Sequence, residues 1–116
     1  MTPIFHITRS RDWQSARREG IYQLSTRERT LRDVGFIHCS YAHQVAGVAN
    51  AIYQGERDLV LLKIDPDLLK APLRPEPATP GGEEFPHIYG PLNLDAVIEV
   101  RQYLSAADGT YRPPQP

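Results

Sequence analysis

The sequence predicts a single α+β domain, with mostly antiparallel, split β-sheets and two or three helices. Three observations lead there. The 116 residues are enough for one hydrophobic core and too few for two full domains. Helical patterns fall in the first half, while the second half reads mostly as strands and turns, whereas a doubly wound sheet needs a helix between all successive strands. Finally, Leu59-Val60-Leu61-Leu62-Lys63-Ile64 is nearly all apolar, the pattern of a central strand covered on both faces.

Each element follows from its local chemistry. Ile4 to Thr8 is a short β-branched and aromatic run and reads as the first strand. Ser10 is placed to cap a helix over Arg11 to Glu19, with Trp13 and Ala16 on one face and Gly20 as the stop. The polar stretch from Tyr22 to Val34 holds at most a short helix and reads as a flap before Gly35. Phe36 to Cys39 forms the next strand, and Ser40 is placed to cap a helix whose Val45, Val48, Ala49 and Ile52 follow amphipathic spacing up to Gly55. Asp65-Pro66-Asp67 closes the central strand as a turn. Prolines and glycines from Ala71 to Glu84 predict irregular surface backbone. Ala96 to Tyr103 is the last strand, alternating Ile98 and Val100 with Glu99 and Arg101. The domain is therefore expected over residues 1–104, with 105–116 as a disordered tail.

Composition narrows the class of function. A net charge of −1 supplies no field for steering nucleic acid or acidic lipid, so neither is indicated. No apolar run approaches the roughly 18 residues of a membrane span, and the start lacks a secretory pattern, so a cytoplasmic location is expected. Cys39, the single cysteine, has no disulfide partner in the chain and reads as a small core residue.

Three of the four histidines lie in ordered motifs: Ile4-Phe5-His6-Ile7-Thr8, Gly35-Phe36-Ile37-His38-Cys39-Ser40 and Phe85-Pro86-His87-Ile88-Tyr89-Gly90-Pro91-Leu92. Imidazole exchanges protons near neutrality, ligates metals and donates to ribose or phosphate oxygens. Strand alternation puts His6 with Thr8 and His38 with Ser40 on shared faces, so the first two rings are expected to open into one cavity. Such a polar row on apolar strands needs a ligand, water or internal partners. Pro86, Gly90 and Pro91 stiffen the third motif, placing His87 on a pocket wall and Tyr89 where it could stack on a ring. For each histidine the alternative is a ring hydrogen-bonded inside the core.

Three chemistries could use these residues. His6, His38 and His87 are enough ligands for zinc, but the sequence lacks the close histidine pairs of metal-binding helices. His6 and His38 with Thr8 and Ser40 resemble the paired motifs of two-histidine phosphoesterases, without their duplicated lobe. The third resemblance extends furthest. The order of the three histidine motifs, the helix to Gly20, Tyr22, the Gln44 to Tyr53 helix, Leu62-Lys63-Ile64-Asp65 and Asp95-Ala96-Val97 resembles the bacterial family named domain of unknown function 952, over about residues 3 to 103.

That resemblance implies an ADP-ribosyltransferase-like fold and a nucleotide ligand of the NAD type. In those transferases a first-strand histidine bonds the adenosine ribose and the next residue's backbone holds the nicotinamide amide, which here implies His6, Ile7 and Thr8. Ser40 is the nearest counterpart of the second motif. Glu84, or its neighbour Glu83, would supply the carboxylate, with His38 as a further catalytic residue. No Gln-x-Glu or Glu-x-Glu element surrounds either glutamate, so the resemblance implies binding more than transfer. His6, Ile7, Thr8, Ser40, His87 and Tyr89 are the expected ligand contacts. The competing expectation is a non-enzymatic interaction module.

Overall fold

The computed structural model describes residues 2–27 and 29–114. Strand β1 (Ile4–Arg9) runs directly into helix α1 (Ser10–Glu19). Its alternation feeds two cores: Ile4 packs with Trp13, Ala16 and Tyr22, while Phe5 and Ile7 pack with Val45, Ala49 and Tyr53. Ser10 is the first helical residue rather than the cap. Arg9 holds the cap position in extended conformation, and the Ser10 N–H is taken by the Asp58 carbonyl at 2.7 Å. Gly20, at φ 83°, ends the helix and returns its N–H to Ala16, a left-handed closure that favours glycine.

The segment expected as a flap is built into the fold. Strand β2 (Ile21–Tyr22) pairs with β9 (Leu92–Asn93), and β3 (Leu24–Thr26) forms a small hairpin with β4 (Arg29–Thr30). The short helix α2 (Leu31–Val34) starts at a reciprocal cap between Thr30 and Asp33, whose side chains accept each other's backbone N–H at 3.1 Å.

Strand β5 (Ile37–His38) and helix α3 (Val45–Ile52) flank Ser40. Ser40 caps no helix. Its backbone N–H and carbonyl are exchanged with those of Phe5, both at 2.8 Å. The side chain of Gln44 instead accepts the Tyr41 N–H at 2.9 Å and donates to the Glu84 carbonyl at 2.8 Å. The helix ends at Ile52, where Tyr53 returns its N–H to Ala49, ahead of Gly55.

Two three-stranded antiparallel sheets carry the domain. In the first, β6 (Leu59–Ile64) is central between β1 and β10 (Val97–Gln102), as its apolar run predicts. On edge strand β10 a bulge falls between Val97 and Glu99, and Ile98 and Val100 are 46% and 41% exposed, so their alternation does not face the core. In the second sheet β8 (Glu84–Ile88) lies between β5 and β7 (Leu73–Pro77). The Phe5–Ser40 pair joins the two sheets edge to edge.

Strand β7 corrects the expectation of irregular backbone over 71–84. Pro75 faces Pro86, and Pro86 turns its carbonyl toward β5, where it accepts the Cys39 N–H at 3.0 Å. The two prolines thus meet at a pair that exchanges no hydrogen bonds, so neither missing N–H interrupts the ladder between β7 and β8. Cys39 is buried in the core, and burial pushes its thiol up. Gly90 follows β8 where a Cβ would stand 2.8 Å from the Ala71 Cβ, so close approach requires the glycine.

After Leu104 the chain is anchored at Tyr111, while its described neighbours from Ser105 to Pro114 are half-buried or exposed; Gln115 and Pro116, the end of the expected tail, lie outside the described residues. Tyr111 is buried at 4% exposure against Tyr103. Its backbone exchanges two hydrogen bonds with the Asn50 side chain, at 2.8 and 3.1 Å, and its hydroxyl donates to the Glu56 carbonyl at 2.9 Å. Tyr111→Ala is expected to lower stability by about 3 kcal/mol, as truncation of a buried aromatic does. A urea midpoint unchanged in that variant, and in one ending at residue 104, would show that the segment contributes nothing.

Candidate functional site

One face of the second sheet collects the site. Register sets His38 opposite His87 and His87 opposite Arg74, while Phe85 faces Glu76. Strand alternation turns Phe85 and His87 to the same side. With Phe36, Pro77 and Ala78, the side chains of His38, Glu76 and His87 line an open cleft of about 450 Å³.

His87 is fixed from two directions. Phe36 stacks on its ring at 3.9 Å and 18°, and its Nδ1 lies 3.0 Å from Glu76 Oε1. A carboxylate only accepts, so Nδ1 carries the proton and Nε2 keeps a lone pair. The Tyr89 hydroxyl donates to the same Glu76 oxygen, and the Arg74 guanidinium sits 4.9 Å from the Tyr89 ring centroid. The Tyr89 hydroxyl, then the His87 ring, hold the Glu76 carboxyl below its ordinary range. Nε2 of His87 has no partner among the described residues; the residue is buried at 4% exposure, and since no fully buried side-chain nitrogen or oxygen is left unpaired there, this atom keeps a small exposed area at the cleft wall.

His38 is half-buried, with its ring 5.5 Å from that of His87 and 5.2 Å from that of Phe85. Neither ring nitrogen is bonded among the described residues. Burial, then the neighbouring His87, lowers its pKa to about 4, so at neutral pH it offers one donor and one acceptor. Its backbone is pinned on both sides: the N–H reaches Ser25 Oγ at 3.3 Å, and the carbonyl receives the His6 ring.

His6 has spent both nitrogens. Nδ1–H donates to the His38 carbonyl at 2.6 Å, which leaves Nε2 to accept from the Tyr22 hydroxyl at 2.7 Å. Thr8 hydrogen-bonds Tyr22 in turn, completing a buried chain from Thr8 to Tyr22 to His6 to the His38 carbonyl. Burial lowers the His6 pKa to about 4 and pushes the Tyr22 phenol up.

The expected cavity shared by His6, His38, Thr8 and Ser40 is therefore a core arrangement. The pocket where Phe5, His6, Ile7, His38 and Ser40 meet holds about 10 Å³, room for no more than a water. Thr8 is not among its walls. Ile7 is buried in the second core with its carbonyl 3.4 Å from the Tyr53 hydroxyl, and Ser40 uses its backbone in the bridge to Phe5.

Glu84 is corrected as well. It alternates with Phe85 and His87 on β8, so its exposed side chain leaves the sheet on the other side. Glu83 is exposed beside His43, 3.5 Å from its Nε2. The carboxylate of the cleft is Glu76, which the sequence reading passed over with Arg74 and Phe36. Leu73-Arg74-Pro75-Glu76-Pro77 carried the signal. Its prolines recur at alternate positions, the period of an edge strand with polar residues on the opposite face.

Among the described residues no group of three or more His, Cys, Asp or Glu could hold a metal ion, and no helix is long and apolar enough to cross a membrane. The zinc set of three histidines fails on His6, whose nitrogens are both engaged.

Fold and site define a small α+β protein with an open cleft lined by imidazole and aromatic rings. The chain belongs to the family described as Protein of unknown function (DUF952), whose model matches residues 7–100. It is similar to the crystal structure of protein CC0527 from Caulobacter crescentus, with 32% identity and a TM-score of 0.83 over 96% of this chain and 94% of that one. The solution NMR structure of CC0527 has 31% identity and a TM-score of 0.73 over 97% and 93%. No curated protein matches the chain.

The histidines set an acid limit. Their ordinary pKa is 6.5, so between pH 6.5 and 4 an unfolded chain takes up protons that folded His6 and His38 refuse. Stability is then complete above pH 6.5 and falls as pH drops through this window, His6 alone accounting for about 3 kcal/mol by pH 4. Urea midpoints should decline from pH 7 to 4.5 while the NMR shifts of both rings remain those of neutral imidazole above pH 5. A flat midpoint would contradict the assignment.

Proposed function

We propose that the protein binds a small nucleotide-like ligand, of the NAD or ADP-ribose type, in the cleft beside β5, β8 and β7. The observation that carries this reading is the set of unspent ring nitrogens: both of His38 and Nε2 of His87, next to Phe36 and Phe85. Imidazoles suit ribose hydroxyls or phosphate oxygens, aromatic faces suit a base, and Arg74 adds a cation on the same face. The edge-to-edge joining of the two sheets also supports the ADP-ribosyltransferase-like relationship, in a protein working in the cytoplasm.

On this reading the ribose-binding part passes from His6 to His38 or His87, because His6 has no free nitrogen. ADP-ribosyl transfer has less support than binding: Glu84 leaves the sheet away from the cleft, and the Glu76 oxygen nearest the rings is shared by His87 and Tyr89.

Calorimetric titration with NAD, ADP-ribose and AMP tests the proposal. Saturable binding is expected for at least one of them. His38→Ala should weaken it by about tenfold to a hundredfold, the loss of one strong hydrogen bond, while the urea midpoint changes little. His6→Ala should behave in the opposite way, with a large fall in midpoint. Absence of binding by all three, or binding indifferent to His38→Ala, would overturn the ligand assignment and favour an interaction module.

A further inference from the structure

We propose that the cleft hydrolyses singly charged phosphodiesters, with His87 as general base on water, Glu76 as its positioning residue and His38 as the donor to a phosphoryl oxygen. The inference rests on the nucleotide-like ligand proposed above and adds a reaction to it. Glu76 fixes both the tautomer and the direction of the His87 ring, while Phe36 clamps its face at 3.9 Å. An imidazole so held presents Nε2, a lone pair, to the cleft. The His38 ring is in contact with it, 5.5 Å between centroids, with an N–H to spare for a group lying across the edges of the two rings.

The reaction balances without another reagent. Nε2 of His87 takes a proton from water as the water oxygen bonds to phosphorus. The ester P–O bond then breaks on the far side of phosphorus, the departing alkoxide takes a proton from solvent, and Nε2 returns its own to solvent. The net change is the addition of water across the ester. His38 donates to a non-bridging oxygen throughout and exchanges no proton.

Charge selects the substrate class. On this face Arg74 and Glu76 oppose each other, so a diester with one negative charge per phosphorus fits better than a dianionic monoester. Cleavage at an anomeric carbon would instead need a carboxylate facing the developing cation. Oε1 of Glu76 already accepts from Tyr89 and His87.

The experiment follows p-nitrophenolate release from bis(p-nitrophenyl) phosphate and from the p-nitrophenyl ester of thymidine 5′-phosphate, with p-nitrophenyl phosphate as the monoester. ADP-ribose affinity is measured on the same preparations. Diester cleavage is expected to exceed monoester cleavage. Glu76 and Arg74 from β7, His38 from β5 and Tyr89 beyond β8 are the charged and titratable groups facing this ring. His87→Ala should lower kcat/KM by at least a hundredfold, the lower range for removing a general base, and by more than it weakens ADP-ribose. His87→Gln serves if the alanine variant does not fold. Glu76→Gln should lower kcat about tenfold with KM steady, a split that a merely structural glutamate would not produce. His43→Ala, remote from the cleft, should match the wild type. ADP-ribose binding without diester cleavage, or cleavage unaffected at His87, would overturn the hydrolytic proposal and leave the binding reading intact. Failure of both binding and cleavage would remove both.

Discussion

The His6 ring holds the two sheets in register where their backbones part. After one bridge between Phe5 and Ser40, strands β1 and β5 stop exchanging hydrogen bonds, and the His38 carbonyl would face the core unpaired. A buried carbonyl without a partner costs about 1–3 kcal/mol. The His6 Nδ1–H meets it at 2.6 Å, and Tyr22 closes the other side of the ring from β2. Three elements far apart in sequence are thereby tied at one imidazole. Every group in the chain has a partner, which is the condition under which a buried polar network stabilises rather than strains a core.

This clamp decides what His38 can do. Ser25 takes its N–H and His6 its carbonyl, so the backbone is fixed while the ring is free. On the next strand the order is reversed: the His87 backbone is ordinary sheet, and the ring is immobilised by Phe36 and Glu76. The three histidines thus form a series in which two, one and no ring nitrogens are consumed by the fold. Capacity for chemistry rises along that series, from His6 through His87 to His38.

The sequence was legible where a single element explains its own pattern. β6 is central because its residues are apolar on both faces, α1 stops where Gly20 can turn left-handed, and the buried face of α3 carries Val45 and Ala49 at helical spacing. The histidine motifs also hold two of the rings that line the cleft, His38 and His87. What escaped depends on partners remote in the chain. Ser10 and Ser40 look like caps until Asp58 and Phe5 claim their backbones, and β7 looks irregular until Pro75 is set against Pro86. Tyr111 sits in a polar, proline-rich stretch whose composition gives no hint of Asn50 waiting 61 residues earlier. Glu76 is hidden with β7, and Glu84, which the transferase resemblance implies as the carboxylate, alternates with His87 on β8 and so leaves the sheet on the opposite face.

The same geometry joins the protein's acid sensitivity to its cleft. Protonation of His6 would place a second N–H at Nε2, directed at a Tyr22 hydroxyl that must then turn its own proton elsewhere, while Thr8 already engages that oxygen. With no water beside it beyond a pocket of about 10 Å³, the ring has little means of solvating the added charge. The contact that yields first is therefore the one between His6 Nε2 and the Tyr22 hydroxyl, and its loss loosens the ring that pins the His38 carbonyl. A site whose open histidine is held by a buried one keeps its shape only while the buried one stays neutral.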